Sequence, residues 1–446
     1  MIGLRFFAIL LPLCAFAQEQ GTRLNPQVQK IVAAISEERI TAHLKKLESF
    51  GTRHINSAKD HPTKGIGSAQ RWLHQTFSSL SPRLEVQYEL FEAKRGGRVE
   101  EDVELANVIA TLPGTRYRDR YLIVCAHYDT IVMKGRRQNM DGEGSSPEDN
   151  QELAPGVNDN GSGVAAILEL ARVLSQYEFE KTIVFIAFAA EEVGLLGSRD
   201  YAKRAKDQHH LIEAVLNNDI IGNDEAGNGR AASNVVRVFS DGPEDSKSRS
   251  VARYVKEIAE RYVPSMHANL VFRADRFGRG GDHTPFHQAG FGAVRFTTAS
   301  ENYSHQHSIT DTFENVSVPY NTRVARMNAA VLATLANAPV CPEVERDSTT
   351  SGRTRKVAMI GRGTSGYDAA LRWNQPGNDD DIAGYSILIR STTSPIWERE
   401  LFIGNVTEYT VPDLSIDDIV IGIRAIDKHG NPSLVSAFAT PPRVFE

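Results

Sequence analysis

The run TIVFIAFAAEE at residues 182–192 sets the architecture of this chain: from Thr182 to Ala190 it is apolar or β-branched without interruption, and two glutamates follow at once. A run of that length and composition predicts a strand buried on both faces, as in the middle of a parallel sheet. The same order recurs on either side of it. YLIVCA at 121–126 is a second buried run and closes on His127-Tyr128-Asp129, while Val215-Leu216 leads into Asn218-Asp219. Between these lies Asn158-Asp159-Asn160-Gly161-Ser162-Gly163, a glycine-rich turn opening into the helical pattern VAAILELA at 164–171. In open α/β sheets, sites form in the crevice beyond the carboxyl ends of the strands. The acids and the imidazole that end these runs are therefore expected to meet.

With Gln306-His307 further along, these stretches hold the residue types of a two-metal hydrolase. Zinc binds neutral imidazole nitrogen and carboxylate oxygen, and a catalytic zinc keeps one position open. Singly, each residue has an ordinary reading. His127 alone reads as a satisfied histidine, Glu191-Glu192 as a pair at a helix N-terminus favoured by the dipole, and Asp159 as a turn or capping residue. The signal is the ordered set, each member at a strand end or a helix entry.

That set resembles the two-zinc aminopeptidase family of the bacterial leucyl aminopeptidase type, over about residues 100 to 335. The likeness rests on DNGSG at 159–163, AEEVGLLGS at 190–198, DIIG at 219–222 and His307 followed by SITDT at 308–312. It implies an α/β fold, a mixed central sheet with helices on both faces, as in zinc-dependent exopeptidases. It also implies two zinc ions: Asp159 bridging both, His127 and Asp219 completing one site, Glu192 and His307 the other. Glu191 would be the catalytic base for a water made acidic by the metal, and Asp129 would accept the free ring N–H of His127 and fix its tautomer. His305 stands near His307 but fits the motif less well. The family's tyrosine before the last histidine is replaced here by Gln306, leaving its role to the Gln306 amide or to Tyr303. GGDHTPF at 280–286 resembles a further family segment near the specificity pocket.

The reading is of a secreted or periplasmic peptidase, an aminopeptidase acting on peptide substrates. Its rivals are a carboxypeptidase or dipeptidase using Arg273, Arg276 or Arg279 for a terminal carboxylate, a one-zinc glutaminyl cyclase, and a non-catalytic binding protein. Arg5, the apolar run from Phe6 to Leu13 and Ala15-Phe16-Ala17 predict a signal peptide over 1–17, too short to span a membrane. The peptidase domain is expected over 18–340, with amphipathic helices in 27–50 and an insertion loop over 131–155 bordering the cleft. Residues 341–356 read as a polar linker. From 357 to 446, short strands at regular spacing predict a small all-β sandwich that resembles a fibronectin type III module, expected to space the enzyme or to bind protein or polysaccharide. The net charge of −6 leaves no basic stripe, so no nucleic-acid partner is expected, and no other stretch reaches transmembrane length. Cys125 and Cys341 remain after cleavage; a bridge between them is the alternative to a buried free thiol at Cys125.

Overall fold

The computed structural model describes residues 24–133, 153–344, 348–350, 353–355, 360–377 and 380–438. The expected leader and most of the expected insertion loop lie outside the described residues, as do parts of the linker.

The chain enters through two capped helices. In α1 (Pro26–Ala33), the Asn25 side chain accepts the N–H of Gln27 and Pro26 sits where a missing N–H costs nothing. In α2 (Glu37–Glu48), Ser36 accepts from Arg39, with Glu37 and Glu38 in the first turn and Lys45 and Lys46 in the last, matching the helix dipole at both ends. Next come α3 (Gly65–Leu80) and an antiparallel pair, β1 (Glu85–Ala93) and β2 (Val103–Leu112).

The remaining strands of the main sheet are β3 (Tyr117–His127), β4 (Lys181–Phe188), β5 (Leu211–Asn218), β6 (Val235–Phe239), β7 (His267–Val271) and β8 (Ala293–Thr298), in the order β1-β2-β4-β3-β5-β8-β6-β7. The central strands β4, β3, β5 and β8 are parallel, whereas β2 and β6 run antiparallel to their neighbours β4 and β8. The sheet is thus mixed, as expected.

Alternation along its buried strands separates two cores. Leu122 and Val124 of β3 and Ile183, Phe185 and Ala187 of β4 face a large cluster built on α4 (Ser162–Leu174), α6 (Lys247–Tyr262) and α8 (Val318–Asn337). Ile123, Cys125, Val184, Ile186 and Phe188 face the other way, onto Ala202 and Ala205 of α5 (Leu196–Asp207) and Phe286 of α7 (His283–Ala289). Two covered faces explain why these runs have no polar face of their own. The two cysteines among the described residues are free, Cys125 buried and Cys341 partly so.

The C-terminal part forms small antiparallel sheets. One has the order β15 (Glu408–Val411), β12 (Ala369–Asn374), β9 (Glu343–Val344); the other β14 (Arg399–Gly404), β13 (Ile382–Ser391), β16 (Ile419–Asp427), β17 (Ser436–Ala437). β10 (Ser348–Thr350) and β11 (Arg353–Arg355) pair separately. A third core, with Trp373 against Tyr385, joins the two larger sheets.

Candidate metal centre

The parallel strands end on one edge, and the polar residues that follow them are gathered there. His127 is the last residue of β3, Glu191 and Glu192 follow β4, and Asp219 follows β5. Asp159 comes from the turn Val157–Gly161 before α4, and His307 from the loop between β8 and α8.

Among the described residues three clusters of donor atoms result, each within 4.8 Å: His127 with Asp159 and Asp219, Asp159 with Glu192 and His307, and His127 with Glu191 and Glu192. His127 Nε2 is 3.3 Å from Asp159 Oδ1 and 3.7 Å from Asp219 Oδ1. His307 Nε2 is 3.1 Å from both Asp159 Oδ2 and Glu192 Oε2. The two oxygens of Asp159 thus point to different imidazoles. His305 is elsewhere, its Nδ1 2.8 Å from Thr310 Oγ1.

The electrostatics are those of a cation site. Burial opposes charge on His307, yet Glu192 and Asp159 outweigh it and lift the imidazole to about 10. Burial likewise opposes charge on His127, and Glu191, Asp129 and Asp159 overcome it. Burial and the neighbouring acids Glu192, Asp219 and Asp282 push Glu191 well above the usual carboxylate range, against the pull of His127. Buried carboxylates packed this closely call for compensating positive charge. Among the described residues Glu192 Oε1 is buried with no hydrogen-bond partner, as a spare metal-facing oxygen would be. Imidazole nitrogen and carboxylate oxygen are the donor set zinc takes, so these residues fit the metal that the sequence implies.

A shell of side chains holds the cluster in place. Asp129 differs from expectation: His127 Nδ1 is 3.2 Å from the Asp129 backbone carbonyl but 3.6 Å from its carboxylate. The carboxylate instead accepts the backbone N–H groups of Glu191 and Glu192, each at 3.1 Å. Asp129 therefore orients the glutamate pair, and its carbonyl takes the imidazole N–H, leaving Nε2 free for the site.

Other parts of this shell have contacts that the sequence motifs do not reveal. Asp311 accepts the N–H groups of Asn158 and Asp159, both at 2.9 Å, while burial raises its carboxyl to about 7. Asn160 donates to the Asn218 carbonyl at 2.9 Å and accepts from Gly163, where any side chain would collide with that carbonyl. Fully buried Arg295 pairs with Asp219 at 3.1 Å and Asp275 at 2.7 Å. Asp282 is buried, its carboxyl driven to about 7 chiefly by burial. Fully buried Arg53 donates to the carbonyls of Tyr128, Leu47, Pro155 and Gly156 at 2.7, 3.1, 2.7 and 2.8 Å. Ala190, Ile220 and His307 all have left-handed φ, 62°, 60° and 53°. For a β-branched residue such as Ile220 that is a strained state, and such strain collects at functional sites. Gln306 donates to Asp159 Oδ2 at 3.0 Å, so one N–H of its amide serves the shared carboxylate.

A mixed α/β sheet with imidazoles and carboxylates converging at its parallel strand ends defines a metallohydrolase. The profile of Peptidase family M28 matches residues 107–332, and the chain belongs to that family: it is a metallopeptidase. It is 33% identical over 446 residues to a probable zinc metalloprotease of Pyrenophora tritici-repentis, covering 92% of this chain and 96% of that one. A probable zinc metalloprotease of Pyricularia oryzae is also 33% identical, over 92% of this chain and 84% of its own length. Among solved structures, the LapA aminopeptidase of Legionella pneumophila shares the fold with a TM-score of 0.54 at 20% identity, over 71% of this chain and 76% of that one. A glutaminyl cyclase of Macrostomum lignano superposes with a TM-score of 0.53 at 16% identity, over 74% and 95%.

Proposed function

We propose that the protein is a two-zinc aminopeptidase that removes N-terminal residues from peptides. The observation that carries this reading is the pair of donor clusters sharing Asp159, with Glu191 beside them. His127, Asp159 and Asp219 would hold one ion; Asp159, Glu192 and His307 the other. Bound zinc supplies Lewis acidity, which brings a water's pKa down to about 7.

The chain's own residues supply the rest. Glu191 takes a proton from the attacking water and returns it to the leaving amine, base first and acid second. Its raised proton affinity, from burial and from Glu192, suits both halves of that exchange. Asp129 sets the backbone of Glu191 and Glu192, so one glutamate serves as ligand while its neighbour keeps a free carboxylate. Gln306, spent on Asp159, is an unlike substitute for a phenol.

The relatives named zinc metalloproteases support the choice of metal, and the aminopeptidase among the structural neighbours supports the choice of reaction. The same neighbours include glutaminyl cyclases; two clusters around one carboxylate favour the two-ion enzyme. The sequence from Arg5 to Ala17 supports export to the periplasm or the exterior. No helix among the described residues is long and apolar enough to cross a membrane. The C-terminal sheets are read as a fibronectin type III-like spacer or binding module.

A panel of aminoacyl p-nitroanilides, free and N-acetylated, tests the reaction. Chelator-sensitive cleavage confined to the free-amino compounds is expected; preference for the blocked compounds contradicts N-terminal specificity.

A further inference from the structure

Of the three arginines on the segment between β7 and α7, only one is linked to the shared carboxylate. Arg276 is occupied by Asp275 and Glu301. Arg273 lies over the ring of Phe277, itself 84% exposed, and is tied to nothing at the donor cluster. Arg279 Nη1 donates to Gln306 Oε1 at 3.3 Å, and Gln306 Nε2 donates to Asp159 Oδ2 at 3.0 Å.

The chemistry of the amide fixes this chain of contacts. A carboxylate only accepts, so the NH2 end of Gln306 must face Asp159, and the carbonyl end must face away and find a donor. Gln306 is buried, which gives that requirement its force. The guanidinium is thereby held one side-chain amide away from the carboxylate common to both donor clusters. Its other flank lies 5.7 Å over the ring of the half-exposed Tyr303. Among the described residues no carboxylate forms an ion pair with Arg279, and it is partly open to solvent. A planar fork of five N–H donors with one neutral partner is built to take a carboxylate in two parallel bonds.

We propose that Arg279 receives a carboxylate of the peptide substrate, so that the enzyme favours peptides whose carboxylate lies close to the scissile bond. This rests on the peptidase reading above. The carboxylate is either the C-terminus of a dipeptide or the side chain of an acidic residue next to the cleaved bond. In both cases Gln306 is the positioning residue, locking the guanidinium relative to Asp159.

The test compares the holoenzyme with Arg279→Met and Arg279→Lys on Leu-Leu, Leu-Leu-amide, Leu-Asp-amide and Leu-Leu bearing an N-acetyl group. The readout is the ratio of kcat/KM for an acid to that for its neutral counterpart. Loss of a bidentate charge-assisted pair lowers that ratio about ten- to a hundredfold, mainly through KM, in Arg279→Met. Arg279→Lys is expected to recover part of it. A fall confined to Leu-Leu identifies the terminal carboxylate, and one confined to Leu-Asp-amide the side chain. Unchanged ratios in both arms overturn the proposal. Cleavage of the acetylated peptide by the wild type would refute N-terminal specificity, yet the Arg279 ratio could still be read on the unblocked peptides. Calorimetry of Leu-Leu and its amide on Glu191→Gln holoenzyme, with and without Arg279→Met, gives the same discrimination without turnover.

Discussion

The division of labour proposed for Glu191 and Glu192 rests on backbone contacts made to a third acid. Asp129 takes both of their N–H groups, and the Glu192 carboxylate lies beside His307; on the proposed reading Glu191 would be left to carry protons. Replacing Glu191 by Gln keeps the shape and removes the proton acceptor. We expect kcat to fall on the order of a thousandfold with metal content unchanged; metal analysis alongside initial rates checks both halves. A different histidine governs acid stability. His43 Nε2 is buried beside Trp72 with no hydrogen-bond partner among the described residues, and burial, with Arg39 and Arg172, lowers its pKa to about 4. The unfolded chain takes up that proton near the usual value of 6.5 while the folded chain refuses it until about pH 4. Stability is therefore lost as pH falls through that window, by roughly 2 kcal/mol at pH 5. His43→Leu should remove that part of the slope between pH 7 and 5 in urea melts; parallel slopes for variant and wild type would contradict it.

At the scale of elements, the site is a set of strand ends and turns brought to one edge and pinned there by buried polar groups. Arg53 is the clearest pin, tying the end of α2 and the segment after His127 to the one leading into Asp159. Burial pulls its pKa down to about 10, opposed by Asp311, Asp129 and Asp159. Arg53→Met leaves those carbonyls unpaired in the interior and should cost about 3 kcal/mol or more. Chemical denaturation checks this, and a loss under 1 kcal/mol would mean the segments hold without it. Much of this level was legible in the sequence. Buried strands announce themselves by runs such as 182–190, and the acids after them mark the sheet's carboxyl edge. The pins were not legible: Arg53 and Arg295 look like ordinary polar residues until distant segments close around them, and Asp311, though inside the SITDT stretch, shows no role there until the segment before α4 folds onto it. Asp129 was recognised, but a sequence cannot tell whether its carbonyl or its carboxylate faces the imidazole.

Over the whole molecule, the C-terminal sheets are fastened to the catalytic part along α6. Buried Arg390 bonds Asp245 at 2.8 and 2.9 Å, buried Arg424 bonds Glu257 at 2.9 and 3.0 Å, and Tyr254 donates to the Pro432 carbonyl at 3.0 Å. The spacing of short runs foretold strands there, but not this seam, since ion pairs between remote segments leave no periodic trace. The catalytic account itself depends on one proposition, that Asp159 serves two ions. Zinc content of the purified chain, measured by mass spectrometry after dialysis, addresses it directly. Two ions per chain are expected in the wild type, with both weakened together in Asp159→Asn because the variant disturbs both clusters. Full peptidase activity with a single ion, or an Asp159→Asn variant that keeps two, would contradict the account.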